Sequence, residues 1–128
     1  MPREHATLRC ELSQRFFFEA AHTLQRSIDA EGSLRIHGHT YLAEVTVAGA
    51  PDPISGMVVD LGHLRAQIAK LRAQLDHQFL DDLADLGPAT LENLCCFIKK
   101  HLGRTVPRLC AVSVAREASG DKCVLRWS

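Results

Sequence analysis

The chain has 128 residues, of which 46% are hydrophobic and 23% charged, proportions typical of one globular domain, expected to cover residues 1–128. Its 15 basic and 15 acidic residues balance, so no net charge attracts it to nucleic acid or to a membrane. Neither an apolar membrane span nor a signal-peptide core is found, so we expect a cytoplasmic protein with no nucleic-acid or membrane partner.

The first half of the chain predicts two strands and a loop. Residues 8–18 alternate roughly between apolar and polar side chains, and we expect this strand to end near His22. The polar residues 23–34 predict a long loop, where a substrate lid or a catalytic residue is often found. A second, clearly alternating strand follows at residues 39–49.

The second half predicts two helices and a hairpin. Leucines at helical spacing predict a helix from Leu61 to about Leu75, with Asp60 as its cap, and Thr90 caps a second helix, Leu91 to Leu102. Residues 108–117 and 122–127 predict the arms of a terminal hairpin. The order β-β-α-α-β-β predicts an α+β fold, an antiparallel sheet with two helices on one face.

Three histidines are the candidate metal ligands. His37 and His39 are two residues apart at the start of the second strand, so their imidazoles point to the same side. His22 ends the first strand. Three imidazoles leave a tetrahedral Zn²⁺ one open position, as in catalytic sites. A pair of surface histidines would give the same local pattern, so the spacing alone leaves both interpretations open.

The cysteines and the other histidines suggest no further site. The five cysteines form no Cys-x-x-Cys pair, and we expect reduced, mostly buried thiols. No pattern surrounds His5, His63 or His101, and we expect these three histidines to be exposed.

Six short elements, in order along the whole chain, resemble the 6-pyruvoyl-tetrahydropterin synthase and 6-carboxytetrahydropterin synthase family. They are Phe18-x-Ala20-Ala21-His22, His37-Gly38-His39-x-Tyr41, Gly56-Met57-Val58-Val59-Asp60-Leu61-x-x-Leu64, Leu75-Asp76-His77-x-x-Leu80, Pro88-x-Thr90-x-Glu92-Asn93 and Val114-x-x-Glu117. The resemblance implies the tunnelling fold (T-fold), in which subunits assemble into a barrel. The homo-oligomer is usually a hexamer of two trimers, with active sites between subunits.

The resemblance also implies roles for single residues. It makes His22, His37 and His39 the ligands of a catalytic Zn²⁺, Asp76 and His77 a proton relay, and Glu117 the carboxylate that holds the pterin ring. The implied substrate is 7,8-dihydroneopterin triphosphate. From the residues alone, a helix C-terminal cap is favoured over catalysis for Asp76-His77, and Glu117 could be only an exposed residue before a turn.

One expected residue is missing. The family usually has a catalytic cysteine in the loop before the His-x-His pair, and this chain has none between Cys10 and Cys95. The corresponding positions are Ser33 with bacterial spacing and Glu31 with the longer spacing. A serine hydroxyl stays protonated where a thiolate would form, so Glu31 is the better candidate base.

The product is therefore left open. A 6-carboxytetrahydropterin synthase is favoured over a 6-pyruvoyl-tetrahydropterin synthase and over an aldolase that gives 6-hydroxymethyl-dihydropterin, the activity that a glutamate at this place resembles. Two other classes stay open: a non-catalytic pterin- or purine-binding protein, and a protein in which zinc only holds an oligomer together.

Overall fold

A computed structural model describes residues 8–23 and 35–127. The five strands in these ranges are β1 (Cys10–His22), β2 (His37–Gly49), β3 (Gln78–Phe79), β4 (Leu109–Arg116) and β5 (Asp121–Arg126). Between them lie the helices α1 (Leu61–Leu75) and α2 (Leu91–Leu102) and a short 3-10 helix, Leu80–Asp82. The predicted α+β fold and the bounds of both helices are confirmed.

The strands form one sheet in the order β3-β1-β2-β4-β5. The four long strands pair antiparallel, as predicted, and His22 lies directly opposite His37. The prediction of a purely antiparallel sheet is wrong at one edge, because the two residues of β3 pair parallel to β1 at Ala20 and Ala21. A strand of two residues is too short to show a period in the sequence. β2 begins at His37, two residues before the predicted start.

Helix caps explain why the helix bounds were predictable. The Asp60 carboxylate accepts a hydrogen bond from the Gly62 backbone N–H at 2.8 Å, and the Thr90 hydroxyl accepts one from Asn93 at 3.1 Å. Each bond satisfies one of the N–H groups that a helix start leaves without a partner. Both predicted caps are therefore confirmed.

The core lies between the two helices and one face of the sheet. Every second residue of β1, β2 and β4 points into it, as the period of a strand requires. The sheet contributes Phe16, Phe18, Ala20, Tyr41, Ala43, Val45, Val47, Val112 and Val114, and the helices contribute Leu64, Ile68, Leu71, Leu75, Leu94, Phe97, Ile98 and Leu102. His22 continues the β1 series and is itself only 1% exposed.

Two expectations about exposure need correction. The cysteines are free thiols as expected, but they are not mostly buried: Cys95 is buried, Cys110 and Cys123 are half-buried, and Cys10 and Cys96 are exposed. His101 is not exposed as predicted, since its ring lies on Phe97 and its Nε2 is 2.8 Å from an Asp85 carboxylate oxygen. His63 is exposed, as predicted. Within the described ranges, no helix is long and apolar enough to span a membrane.

Candidate metal centre

The three predicted histidines meet at one end of the core face. His22 is the last residue of β1, and His37 and His39 are the first and third residues of β2. The antiparallel register places His22 opposite His37 and Ala20 opposite His39, so all three side chains share the face that carries Phe18 and Tyr41. The ring centroids are 4.5 Å apart for His22 and His37, and 5.0 Å apart for the other two pairs.

The nitrogen atoms of this cluster fit a metal ion. One ligand nitrogen from each ring lies within 4.8 Å of the others. Both ring nitrogens of His22 and the Nε2 of His39 are buried without a hydrogen-bond partner. His37 Nδ1 lies 2.8 Å from the Arg35 carbonyl oxygen, so Nδ1–H donates to it and the Nε2 lone pair stays free. Buried polar atoms without partners are uncommon, and a metal ion would bind one nitrogen lone pair of each ring.

Burial favours the neutral forms of His22 and His39. Burial, followed by the neighbouring rings of His37 and His39 and by Arg116, lowers the pKa of His22 to about 4, and Asp81 opposes the shift. The pKa of His39 is also lowered, first by burial and then by Arg116 and His37. Imidazoles with lowered pKa values keep their lone pairs at neutral pH, which is the state that binds metal.

Asp76 and His77 lie where α1 ends and β1 passes. The Asp76 N–H donates to the Arg72 carbonyl at 2.8 Å, and one carboxylate oxygen accepts the Glu19 N–H at 2.9 Å. That hydrogen bond, followed by Arg72 and His77, lowers the pKa of Asp76. The other carboxylate oxygen is 3.5 Å from His77 Nε2. Asp76 is thus the C-terminal cap of α1, as the structural interpretation predicted. It also lies beside His77, as the proton-relay interpretation requires.

His77 and His39 line the same cavity. Its backbone φ is +58°, an unusual value for a non-glycine residue, and its N–H donates to the Glu19 carbonyl at 2.6 Å. The side chain is 74% exposed and lines a cavity of about 490 Å³ together with His39, Thr40 and Gln78. The structure therefore brings His77 and one predicted metal ligand to the same space.

Glu117 lies elsewhere in the single chain. It follows β4, is exposed, and lines a second cavity of about 360 Å³ on the sheet face opposite the helices. Arg15, Glu44 and Lys122 line the same cavity, and none of the histidines does. One chain alone therefore does not bring Glu117 to the cavity that His39 and His77 line. Glu31 and Ser33 lie outside the described residues.

Two neighbours of the cluster were missed by sequence reasoning. Asp81 accepts a hydrogen bond from the Thr23 N–H at 3.0 Å and another from the Thr23 hydroxyl, which ties the end of β1 to the 3-10 helix. Arg116 ends β4 at the parity of the buried Val112 and Val114. The signal in the sequence is an arginine at a core position of a predicted strand.

Comparisons with known proteins identify the family to which the chain is similar. A family model described as 6-pyruvoyl tetrahydropterin synthase matches residues 11–126. A human protein named 6-pyruvoyl tetrahydrobiopterin synthase is 33% identical over 124 residues, covering 84% of this chain and 85% of that protein. A 6-carboxy-5,6,7,8-tetrahydropterin synthase from Aquifex aeolicus (strain VF5) is 29% identical over 91 residues, 61% of this chain and 56% of that protein.

Among solved structures, a Caenorhabditis elegans 6-pyruvoyl tetrahydropterin synthase superposes with a TM-score of 0.81 at 26% sequence identity. The superposition covers 94% of this chain and 97% of that chain. The sheet and both helices described above are therefore common to the two proteins.

Proposed function

Since the chain belongs to the 6-pyruvoyl tetrahydropterin synthase family, we propose that it is a metal-dependent lyase acting on the side chain of 7,8-dihydroneopterin triphosphate. The observation that carries the proposal is the group of three converging histidines, in which both ring nitrogens of His22 and the Nε2 of His39 are buried without a partner. In this proposal the chain is one domain, residues 1–128, and works in the cytoplasm on a small pterin.

His22, His37 and His39 would hold the ion, which we propose is Zn²⁺. When bound, it lowers the pKa of the substrate's side-chain hydroxyls and polarises a developing carbonyl. Three nitrogen ligands leave a position for substrate, whereas a purely structural zinc site is normally closed by four protein ligands. This difference favours catalysis over a metal that only holds an oligomer together.

Asp76 and His77 would move the protons. The Asp76 carboxylate lies beside His77 Nε2 and stabilises the imidazolium that forms when His77 accepts a proton. The His77 side chain is exposed and lines a cavity that His39 also lines, which supports a role for His77 beside the proposed metal ligands. Glu31 would serve as the base that the absent loop cysteine supplies in relatives, with Ser33 as the weaker alternative.

Glu117 would bind the pterin ring of a substrate held by a neighbouring subunit. A carboxylate can accept two parallel hydrogen bonds from a guanidine-like edge. The separation of the Glu117 cavity from the histidines within one chain supports active sites shared between subunits of a homo-oligomer, which we propose is a hexamer of two trimers.

Mixing inactive variants tests the shared site. His39→Ala subunits keep Glu117 and Glu117→Gln subunits keep the histidines, so mixed oligomers should regain activity in up to about one quarter of their sites. His39→Ala mixed with His37→Ala is the matched control, since every site then lacks a histidine. Recovery in neither mixture would contradict a site formed between subunits.

The reaction itself is tested by incubating zinc-loaded protein with 7,8-dihydroneopterin triphosphate and identifying the products by mass. The product that we expect is 6-carboxytetrahydropterin. A 6-pyruvoyl-tetrahydropterin product would still make the protein a lyase of this family, but one with the other synthase activity. A 6-hydroxymethyl-dihydropterin product would indicate an aldolase with Glu31 as its base. An unchanged substrate after hours, with pterin still bound, would overturn the lyase proposal in favour of a non-catalytic binding protein.

A further inference from the structure

The buried polar atoms without a partner are concentrated in one place. Among residues 8–23 and 35–127, every such side-chain atom belongs to His22, His39, Tyr41 or Arg116. Leaving a buried donor or acceptor unpaired is costly, so a group of such atoms in one place indicates a missing partner. A metal ion accounts for imidazole lone pairs, but it cannot satisfy Arg116 Nε–H, which only donates a hydrogen bond.

Arg116 is held next to this cluster from outside. Its terminal nitrogen donates to an Asp121 carboxylate oxygen at 2.8 Å, and the Ser119 hydroxyl donates to the same oxygen at 3.0 Å. These bonds fix the guanidinium at the turn between β4 and β5 and leave Nε–H buried without a partner. The positive charge lowers the pKa of both His22 and His39, which places the guanidinium within electrostatic range of two predicted ligands.

Tyr41 is the neighbour of Arg116 across the sheet. Leu42 pairs with Ala115, so the residue before Leu42 lies beside the residue after Ala115. The Tyr41 side chain is fully buried, contacts His39 edge-on with ring centroids 5.7 Å apart, and stacks on Phe18. Its hydroxyl has no partner. Phe18 therefore holds the ring in place, and the hydroxyl is available to a ligand.

We propose that Arg116 Nε–H and the Tyr41 hydroxyl donate hydrogen bonds to one negatively charged oxygen of a ligand bound at the three histidines. The inference rests on the proposed function, because it places that oxygen beside the metal ligands. Hydrogen bonds from a charged donor are shorter and stronger than neutral ones, and partial burial strengthens them further. Arg116 is thus a specificity-determining residue, selecting ligands that bring an anionic oxygen to the histidine cluster.

The test uses acetate as a simple oxygen anion and cobalt(II) as a coloured substitute for the metal. The visible spectrum of the cobalt-loaded protein should change saturably as acetate is added. Arg116→Gln should weaken acetate binding by about tenfold or more, and Tyr41→Phe by about threefold. Arg65→Gln is the matched control, because Arg65 is exposed on α1 and its Nε bonds Gln14 at 3.2 Å, and it should leave the affinity unchanged.

A second variant covers the case in which Arg116→Gln does not fold. Arg116→Lys keeps the charge but cannot bind Asp121 and also donate from an inner N–H, so its acetate affinity should lie between those of the wild type and the glutamine variant. Equal acetate affinity in wild type and in the folded Arg116 variants would overturn the proposal. It would mean that Arg116 and Tyr41 only support the fold.

The source of the oxygen is identified with two pterins. Binding of 7,8-dihydroneopterin and of its triphosphate is compared in the wild type and in Arg116→Gln. An equal loss for both indicates an oxygen of the side chain, and a loss for the triphosphate alone indicates a phosphate oxygen. No loss for either overturns the proposal. Acetate binding that depends on Arg116 in a protein that leaves the substrate unchanged would refute the proposed reaction and keep this site.

Discussion

The two ends of the same sheet face are buried in the same way but differ in what they need. At the apolar end, Val45, Val47 and Val112 belong to one buried hydrophobic cluster with Leu94 and Ile98, and these apolar side chains need no polar partner. At the histidine end, His22 and Tyr41 are also buried, yet their polar atoms find none. The alternation of a strand therefore determines which residues are buried. Whether a buried side chain stabilises the fold or forms part of a binding site depends on whether it is apolar or carries polar atoms that need a partner.

The largest expected effect is the loss of a histidine from the site. His39→Ala should abolish stoichiometric zinc binding and lower kcat/KM by about 1000-fold or more, because two imidazoles hold zinc weakly. It should leave the metal-free fold intact, since the atom removed has no partner there. Metal content and steady-state kinetics provide the measurement. His63→Ala, at an exposed position, is the control, and full zinc content in His39→Ala would contradict the account.

The apolar end should show the opposite behaviour. Leu94→Ala removes a fully buried side chain on α2 and should lower the free energy of unfolding by about 2–5 kcal/mol, because a cavity remains. Activity per folded molecule should not change. Urea unfolding gives the stability, and Val124→Ala, at a side chain 40% exposed, should change it by less than about 0.5 kcal/mol. A loss of zinc binding in folded Leu94→Ala would contradict the expectation that the apolar end affects only stability.

Acid should weaken the metal-free protein through the histidine end. His22 has a pKa near 4 in the fold, against about 6.5 when unfolded, so only the unfolded chain gains its proton between these values. The stability that depends on neutral His22 is therefore fully present above pH 6.5 and is lost as the pH is lowered towards 4. The contribution of His22 should be about 2 kcal/mol between pH 7 and pH 5.

Urea unfolding at both pH values, with a chelator present, measures this difference. His22→Leu should remove about that much of the pH dependence. If the free energy of unfolding changed equally with pH in wild type and in His22→Leu, burial would not be keeping the His22 ring neutral in the fold.

The smallest effect is at a feature that belongs to neither end. Thr90→Ala removes the cap of α2 and should cost about 1 kcal/mol, because the Asn93 N–H loses its acceptor. Thr90→Ser, which keeps the hydroxyl, should restore most of that stability. Thermal unfolding followed by circular dichroism distinguishes the two variants. A change in zinc affinity in Thr90→Ala would be unexpected, and would indicate that α2 positions the histidines.

Much of the fold followed from the sequence because its signals are local. Leucine spacing and two caps predicted the helix bounds, and the i, i+2 spacing of His37 and His39 predicted the shared face that the structure confirms. β3 was missed because two residues have no period. The distance between Glu117 and the histidines depends on the register of whole strands, which local patterns do not fix.

Arg116 was missed for a different reason. Strand parity already placed it on the core face, and the predicted strand, residues 108–117, included it, but parity does not show whether a charged side chain has partners. That the Nε–H of Arg116 is buried without one depends on the tertiary structure around it.

Anomalous diffraction at the zinc edge from crystals of the metal-loaded protein tests the central claim most directly. We predict one zinc per chain, about 2.0–2.1 Å from one nitrogen each of His22, His37 and His39, with a fourth position held by water or substrate. Zinc bound at other residues, or closed by a fourth protein ligand, would contradict the proposal that the histidine end of the sheet is a catalytic site.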